Sequence, residues 1–277
     1  MTKAATGPHL LDKDMSSSGS QLDHSGTDTV LSVHDIVVSY GGVQAVQGVS
    51  FEVRRAERLG IIGPNGAGKS TLLGAIAGQI KAKSGSVSIG ATDVSHAPAH
   101  VRARLGIART FQTTSEFAGM TVFENLVTAG RGAAGASLWR TVAHPRSGAR
   151  EEARVAARAW DVLDRFEMAD HADSYGRELS GGQRRLVEIM RCLMCDPQVL
   201  LLDEPMVGVA PHLVDKMVAD LMTIASDGIA LVIVEHALEV IQKISDQVMV
   251  MALGQVIAKG SYDEVVADEA VKDAYLG

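Results

Sequence analysis

Gly63, Pro64, Asn65, Gly66, Ala67, Gly68, Lys69 and Ser70 fit the pattern G-x-x-x-x-G-K-[ST] without a gap. These residue types at this spacing suit a phosphate. Glycines let the backbone turn so that successive N–H groups point inward around phosphate oxygens. A helix that begins there adds its free N–H groups and the positive end of its dipole. Lys69 supplies a point charge to β- and γ-phosphates. Ser70 offers a hydroxyl to Mg²⁺, with Thr71 near the α-phosphate side. A chance match, at average residue frequencies, arises in about one chain in a hundred of this length. The apolar run Leu59–Ile62 before the loop and the helix-like Gly68–Gly78 after it make chance rarer still.

A second group stands far along the chain. Val199, Leu200, Leu201 and Leu202 run into Asp203, Glu204 and Pro205. In a parallel sheet the C-terminal strand ends face the ligand crevice. Asp203 is then placed to hold Mg²⁺ through water, and Glu204 to orient and deprotonate an attacking water. An ordinary strand-ending turn also uses Asp and Pro. The phosphate loop tips the reading toward catalysis. A third group, Leu179, Ser180, Gly181, Gly182 and Gln183, repeats the loop's logic. Ser180 and two small glycines at a helix start make an anion site, and Ser180 with Gln183 makes a capping box.

The elements that must carry these groups follow from pattern. Leu31–Tyr40, Val43–Val46 and Val49–Val53 read as strands, rich in Val and separated by glycines and polar residues. Gln198–Leu202, Ile229–Val234 and Gln247–Met251 read as buried strands, alternating with helices at Ser180–Met194, Pro211–Ser226 and from His236 onward. Such alternation predicts an α/β fold with a largely parallel core sheet and helices on both faces. The stretch from about Thr113 to Gly176 reads as a helical subdomain. Thr121 and Glu124 open one helix by a capping box, and Ala149–Met168 forms a longer one. Between them Gly130–Gly148 reads as a loose insertion. Residues 1–29 are rich in Ser, Thr, Gly and Asp and read as a disordered tail, with the folded domain spanning 30–277.

Composition excludes several classes. Of the 277 residues 46% are hydrophobic and 21% charged, as in soluble globular proteins. The net charge of −7 argues against a nucleic-acid binder. No apolar run nears the roughly 18 residues that span a bilayer. No basic start leads into an apolar stretch, so no signal peptide is expected and a cytoplasmic place is. Any membrane role must come through a partner. Cys192 and Cys195 form a lone C-x-x-C late in a helix, and no second pair completes a zinc site. They read as two buried residues one turn apart.

The Leu179–Gln183 segment, shortly before the acidic strand, resembles the signature motif of ABC ATPases. That resemblance covers almost everything from Val30 to Gly277. It implies a P-loop NTPase core with an N-terminal antiparallel β subdomain, two ATPs sandwiched in a head-to-tail dimer, and Ser180–Gln183 meeting the γ-phosphate held by the other subunit. Gln112 resembles the glutamine that contacts Mg²⁺ and links core to helical lobe. His236 resembles the switch histidine at the γ-phosphate, and Tyr40 the aromatic that stacks on adenine. Arg109, Thr110, Phe111 and Gln112, then Met120–Leu126, Gln183–Leu186 and the ending Ala274–Gly277, look like the ATPases of branched-chain, hydrophobic amino acid importers. Importers of urea or short amides share much of this pattern. Such importers combine a pair of ATPase subunits, two transmembrane permease subunits and an extracytoplasmic solute-binding protein, with the ATPases on the inner face of the membrane. The insertion resembles one ATPase of the pair, and Val207–Pro211 leans to the other. Ala210 departs from the Asp many ABC ATPases carry after the acidic strand. The competing reading is a soluble ABC ATPase uncoupled from transport. DNA-repair relatives carry coiled-coil arms and translation factors two phosphate loops, and this sequence has neither.

Overall fold

The computed structural model describes residues 28–110, 118–133 and 145–276. The described residues open with β1 (Thr29–Tyr40) and β2 (Val43–Arg54), which pair antiparallel around Gly41 and Gly42. The sequence predicts two strands across Val43–Val53; the structure joins them. Gly48, at φ 71°, sits where the register with β1 slips, so the chain bulges there and continues. Next come β3 (Arg58–Ile62), α1 (Lys69–Ile76), β4 (Ser84–Ile89), β5 (Thr92–Asp93), α2 (Ala99–Arg104) and β6 (Ile107–Arg109). Helices α3 (Val122–Ala133), α4 (Pro145–Arg165) and α5 (Gly181–Leu193) follow. Strand and helix then alternate: β7 (Val199–Asp203), α6 (Pro211–Ser226), β8 (Ala230–Val234), α7 (Leu238–Ile244), β9 (Gln247–Ala252), β10 (Gln255–Gly260), α8 (Tyr262–Ala267) and α9 (Glu269–Leu276).

Two sheets result. One is antiparallel, in the order β2-β1-β4-β5; the other runs β10-β9-β3-β8-β7-β6. In the second, β9, β3, β8, β7 and β6 are parallel and β10 alone is antiparallel. Strands β7 and β8 are buried along their whole length, which is why their sequences are continuous apolar runs. Their side chains alternate between two cores. Leu200, Leu202, Leu231 and Ile233 face a core built with α3 to α7. Val199, Leu201, Val232 and Val234 face the other, built with α1 and the antiparallel sheet. The helices expected on both faces are present, but on one face α1 shares its place with the antiparallel sheet.

Local chemistry fixes the ends. Thr121 and Glu124 exchange backbone bonds at 2.9 and 3.2 Å before α3, as the capping box predicts. Pro211 is the first residue of α6, where its missing N–H costs nothing. The helix expected over Ala149–Met168 runs Pro145–Arg165, and Glu167 at φ 54° leaves helical geometry. The helix expected from His236 begins two residues later, at Leu238. The buried Glu235 side chain accepts the His236 N–H at 3.1 Å and holds that stretch outside the helix. The insertion predicted over Gly130–Gly148 falls mostly outside the described residues, as do residues 1–27 of the tail. No described helix is long and apolar enough to cross a membrane.

Candidate functional site

Strand β3 ends at Ile62 and the phosphate loop turns directly into α1. Gly63, Gly66 and Gly68 take φ of 146°, 79° and 96°, which side chains resist. Close approach adds to this. A Cβ on Gly63 would lie 2.0 Å from the Met251 carbonyl oxygen, and one on Gly68 2.2 Å from that of Ala45. Neighbouring strands thus press on the loop, and Gly254 N–H donates to Ala67 O at 3.1 Å. Gly68 has no side chain with which to cap α1, so the helix start remains open to an anion. Lys69 is 6% exposed and its Nζ donates to Gly63 O at 2.6 Å and Pro64 O at 3.0 Å. Burial pushes its ammonium below the ordinary lysine value, and the charges of Glu204 and Asp203 work against that fall.

Asp203 closes β7 and is 1% exposed. One carboxylate oxygen accepts from Ser70 Oγ at 3.0 Å, the other from Arg109 Nη2 at 2.8 Å. Arg109 also donates to Ser70 O at 3.2 Å, and Thr110 Oγ1 accepts the Asp203 N–H at 3.3 Å. A buried carboxylate is tolerable only with such partners. Sequence reading gave Arg109 and Thr110 no role of their own, although both lie in the segment that carried the family resemblance. Their signal was weak because their partners lie over 90 residues away: each bond to Asp203 spans 94 or 93 positions. Among the described residues no three His, Cys, Asp or Glu side chains gather as a metal cluster. The oxygens of Ser70 and Asp203 instead make a sparse pair at the mouth of the phosphate loop. That pair fits Mg²⁺ held mainly by phosphates and water.

Glu204 follows at φ 51°, a left-handed conformation that costs about 1–3 kcal/mol for a non-glycine residue. Its Oε1 lies 2.9 Å from His236 Nε2. The parallel order brings this about: β7 and β8 are neighbours, Asp203 pairs with Val234, and both strands end at the same edge. One edge therefore collects Lys69, Ser70, Asp203, Glu204 and His236, which come from three separate parts of the chain.

The third motif lies at another place in the fold. Ser180 caps α5 with the predicted box: its hydroxyl accepts from Gln183 N at 3.3 Å, and Gln183 Oε1 accepts from Ser180 N at 2.9 Å. Gly181 cannot bear a side chain, because a Cβ would lie 2.5 Å from Gly208 O. Gln183 Nε2 also meets His171 Nε2 at 2.9 Å. Among the described residues no hydrogen bond joins this cap to the phosphate loop, and Ser180 is exposed. Tyr40 stands 54% exposed at the end of β1, on the hairpin whose Ala45 presses against Gly68. Gln112 lies outside the described residues. Cys192 is buried and Cys195 partly so; burial raises both thiols, that of Cys192 to about 12. Of the two expected to be buried, Cys192 is and Cys195 is only partly so.

Comparison with known proteins places this geometry. The ABC transporter family matches residues 46–207, and the branched-chain amino acid ATP-binding cassette transporter family matches residues 255–277. The chain is 35% identical to the probable branched-chain amino acid transport ATP-binding protein LivG of Archaeoglobus fulgidus, over 90% of this chain and 95% of that one. It is 32% identical to the high-affinity branched-chain amino acid transport ATP-binding protein LivG of Salmonella typhimurium, over 90% and 98%. A nucleotide-free ATP-binding cassette from an ABC transporter superposes with a TM-score of 0.80 at 35% identity, covering 90% of this chain and 99% of that one. The ADP conformation of another such cassette gives 0.79 at 36%, with the same coverage. The chain belongs to the ABC transporter family, as one of its ATP-binding, ATP-hydrolysing subunits.

Proposed function

We propose that this chain powers an importer of branched-chain, hydrophobic amino acids or a related small solute such as urea or an amide. It works from the cytoplasmic face of the membrane. It pairs with a second ABC ATPase subunit, identical or paralogous, beneath two transmembrane permease subunits served by an extracytoplasmic solute-binding protein. Nucleic acid plays no part. The match of residues 255–277 to the branched-chain cassette family carries this reading, together with relatives named for that transport.

The expected domain of 30–277 acts as one ATPase unit that gains Thr29, the first residue of β1, with the helical subdomain of about 113–176 facing the permeases and the residues before β1 as a tail. Tyr40 stacks on adenine, since stacking needs only a flat face. Gly63, Pro64, Asn65, Gly66, Ala67, Gly68, Lys69, Ser70 and Thr71 hold the phosphates. Ser70, Gln112 and Asp203 supply the protein side of the Mg²⁺ site, and Mg²⁺ bound with ATP offsets phosphate charge. Ser180, Gly181, Gly182 and Gln183 close on the γ-phosphate of the partner's ATP; the exposure of Ser180 supports this. Glu204 takes the proton of the attacking water and His236 steadies that geometry. Their 2.9 Å contact supports the pairing. The closed pair forms because ATP binds it more tightly than the open one, and hydrolysis releases it.

Recovery of the tagged chain from its native membranes in mild detergent, with mass spectrometry of what accompanies it, tests the transport role. Two multi-spanning proteins and a solute-binding protein are expected. Only soluble DNA- or ribosome-associated proteins would overturn the transporter reading and leave the ATPase.

A further inference from the structure

The left-handed backbone of Glu204 needs surroundings that hold it, since few non-glycine residues rest there. Three anchors surround it. Its N–H donates to Val234 O at 2.9 Å. Its carbonyl oxygen accepts from Arg185 Nη2 at 2.7 Å, and the same nitrogen reaches Asp203 O at 2.6 Å. Two residues on, the Met206 N–H donates to Glu235 Oε1 at 2.7 Å. The other oxygen of Glu235 accepts the His236 N–H at 3.1 Å. One buried carboxylate therefore bridges the loop that carries Glu204 and the loop that carries His236.

Both charged side chains are buried, Arg185 at 8% and Glu235 at 3% exposure. Burial raises the Glu235 carboxyl above its usual range, while the N–H groups of Met206, His236 and Ala237 hold it down. Packing alone does not call for them, because apolar residues fill a core at lower cost than buried charges. What distinguishes the two is where they converge. Each binds main chain beside the Glu204–His236 pair, and the two side chains of that pair meet at 2.9 Å.

We propose that Arg185 and Glu235 are positioning residues that fix the Glu204–His236 pair for hydrolysis. Arg185 pins the Glu204 peptide; Glu235 ties that loop to the loop of His236. The proposal rests on reading Glu204 as the base. It has a consequence for coupling. Arg185 sits on α5, whose start is the Ser180 cap. A displacement of that helix reaches the Glu204 peptide within the same chain.

The test is single-turnover ATP hydrolysis and ATP affinity of the full chain, for Glu235→Gln, Arg185→Met and Arg185→Lys, each alone and in a Glu204→Gln background. With Glu204 present, Glu235→Gln and Arg185→Met are expected to slow hydrolysis about 10- to 100-fold, the scale of a misplaced catalytic group. ATP affinity should stay within about 3-fold, since the loss lies in the reacting geometry and not in binding. Arg185→Lys should fall between, because one ammonium can still donate to the Asp203 and Glu204 carbonyls but loses the fixed plane in which Nη1 pairs with Glu188 while Nη2 holds those carbonyls. With Glu204 replaced, the same changes should slow hydrolysis no further. Equal losses in both backgrounds, or near-native turnover in Glu235→Gln and Arg185→Met, would overturn the clamp. If Arg185→Met does not fold, the isosteric Glu235→Gln and the charge-preserving Arg185→Lys decide. Near-native hydrolysis by Glu204→Gln alone would remove the base itself, a result distinct from failure of the clamp.

Discussion

At the scale of single residues, the site is a set of charges whose burial is offset by neighbours. Lys69 is the sharpest case. Its folded-state pKa lies below the unfolded value because burial penalises the ammonium. Keeping it charged therefore costs stability near pH 7, and that cost fades as pH rises through the lowered pKa toward the ordinary 10.5. Lys69→Met is expected to weaken ATP binding about 10- to 100-fold, the loss of charge-assisted bonds to phosphate. It should leave the nucleotide-free Tm near native at pH 7, with the wild type gaining on it as pH approaches 10. Titration calorimetry and thermal unfolding across that range check both; a large Tm loss with intact affinity would make Lys69 structural. That Lys69, Ser70, Asp203 and Glu204 gather at one place was legible in the sequence, because two motifs of fixed local spacing carry them. Arg109, Arg185 and Glu235 were not, because their bonds reach partners 18 to 94 positions away. Glu235 did leave a trace: a carboxylate between an apolar strand and His236.

At the scale of elements, the phosphate loop depends on what presses against it. Ala45 in β2 and Met251 in β9 back onto Gly68 and Gly63 so closely that a methyl group has no room. Gly68→Ala should lower the nucleotide-free Tm by several degrees, from the strained φ and the clash together. It should also abolish tight ATP binding. An unchanged Tm without nucleotide would show that the loop tolerates the side chain and that the hairpin does not press on it. Long apolar strands such as β7 and β8 were legible, since full burial writes itself as an unbroken apolar run. The short β4 and β5 left little to read: β4 buries only Val87 and Ile89, two alternating positions, and β5 is two exposed residues at the sheet margin. The start of α7 was misplaced because the side chain of Glu235 competes for backbone bonds, a tertiary effect no local pattern shows.

At the scale of the whole molecule, topology does the assembling. The parallel order β9-β3-β8-β7-β6 brings three strand ends to one edge, and with them Lys69, Asp203 and His236. Two buried cores flank that sheet and back the edge on which these groups stand. The fold class and the contents of this edge were readable because strand–helix alternation and the phosphate loop together admit few topologies. How the antiparallel sheet shares one face with α1 was not readable, since nothing in a strand's own sequence names the layer it packs on. The central claim is that this edge hydrolyses ATP with Glu204 as the base. Its most direct test is steady-state hydrolysis by wild type and Glu204→Gln, with ATP binding measured on the same samples. Loss of at least ~100-fold in turnover with ATP binding retained is the expected result. Turnover near wild type in Glu204→Gln would contradict the account.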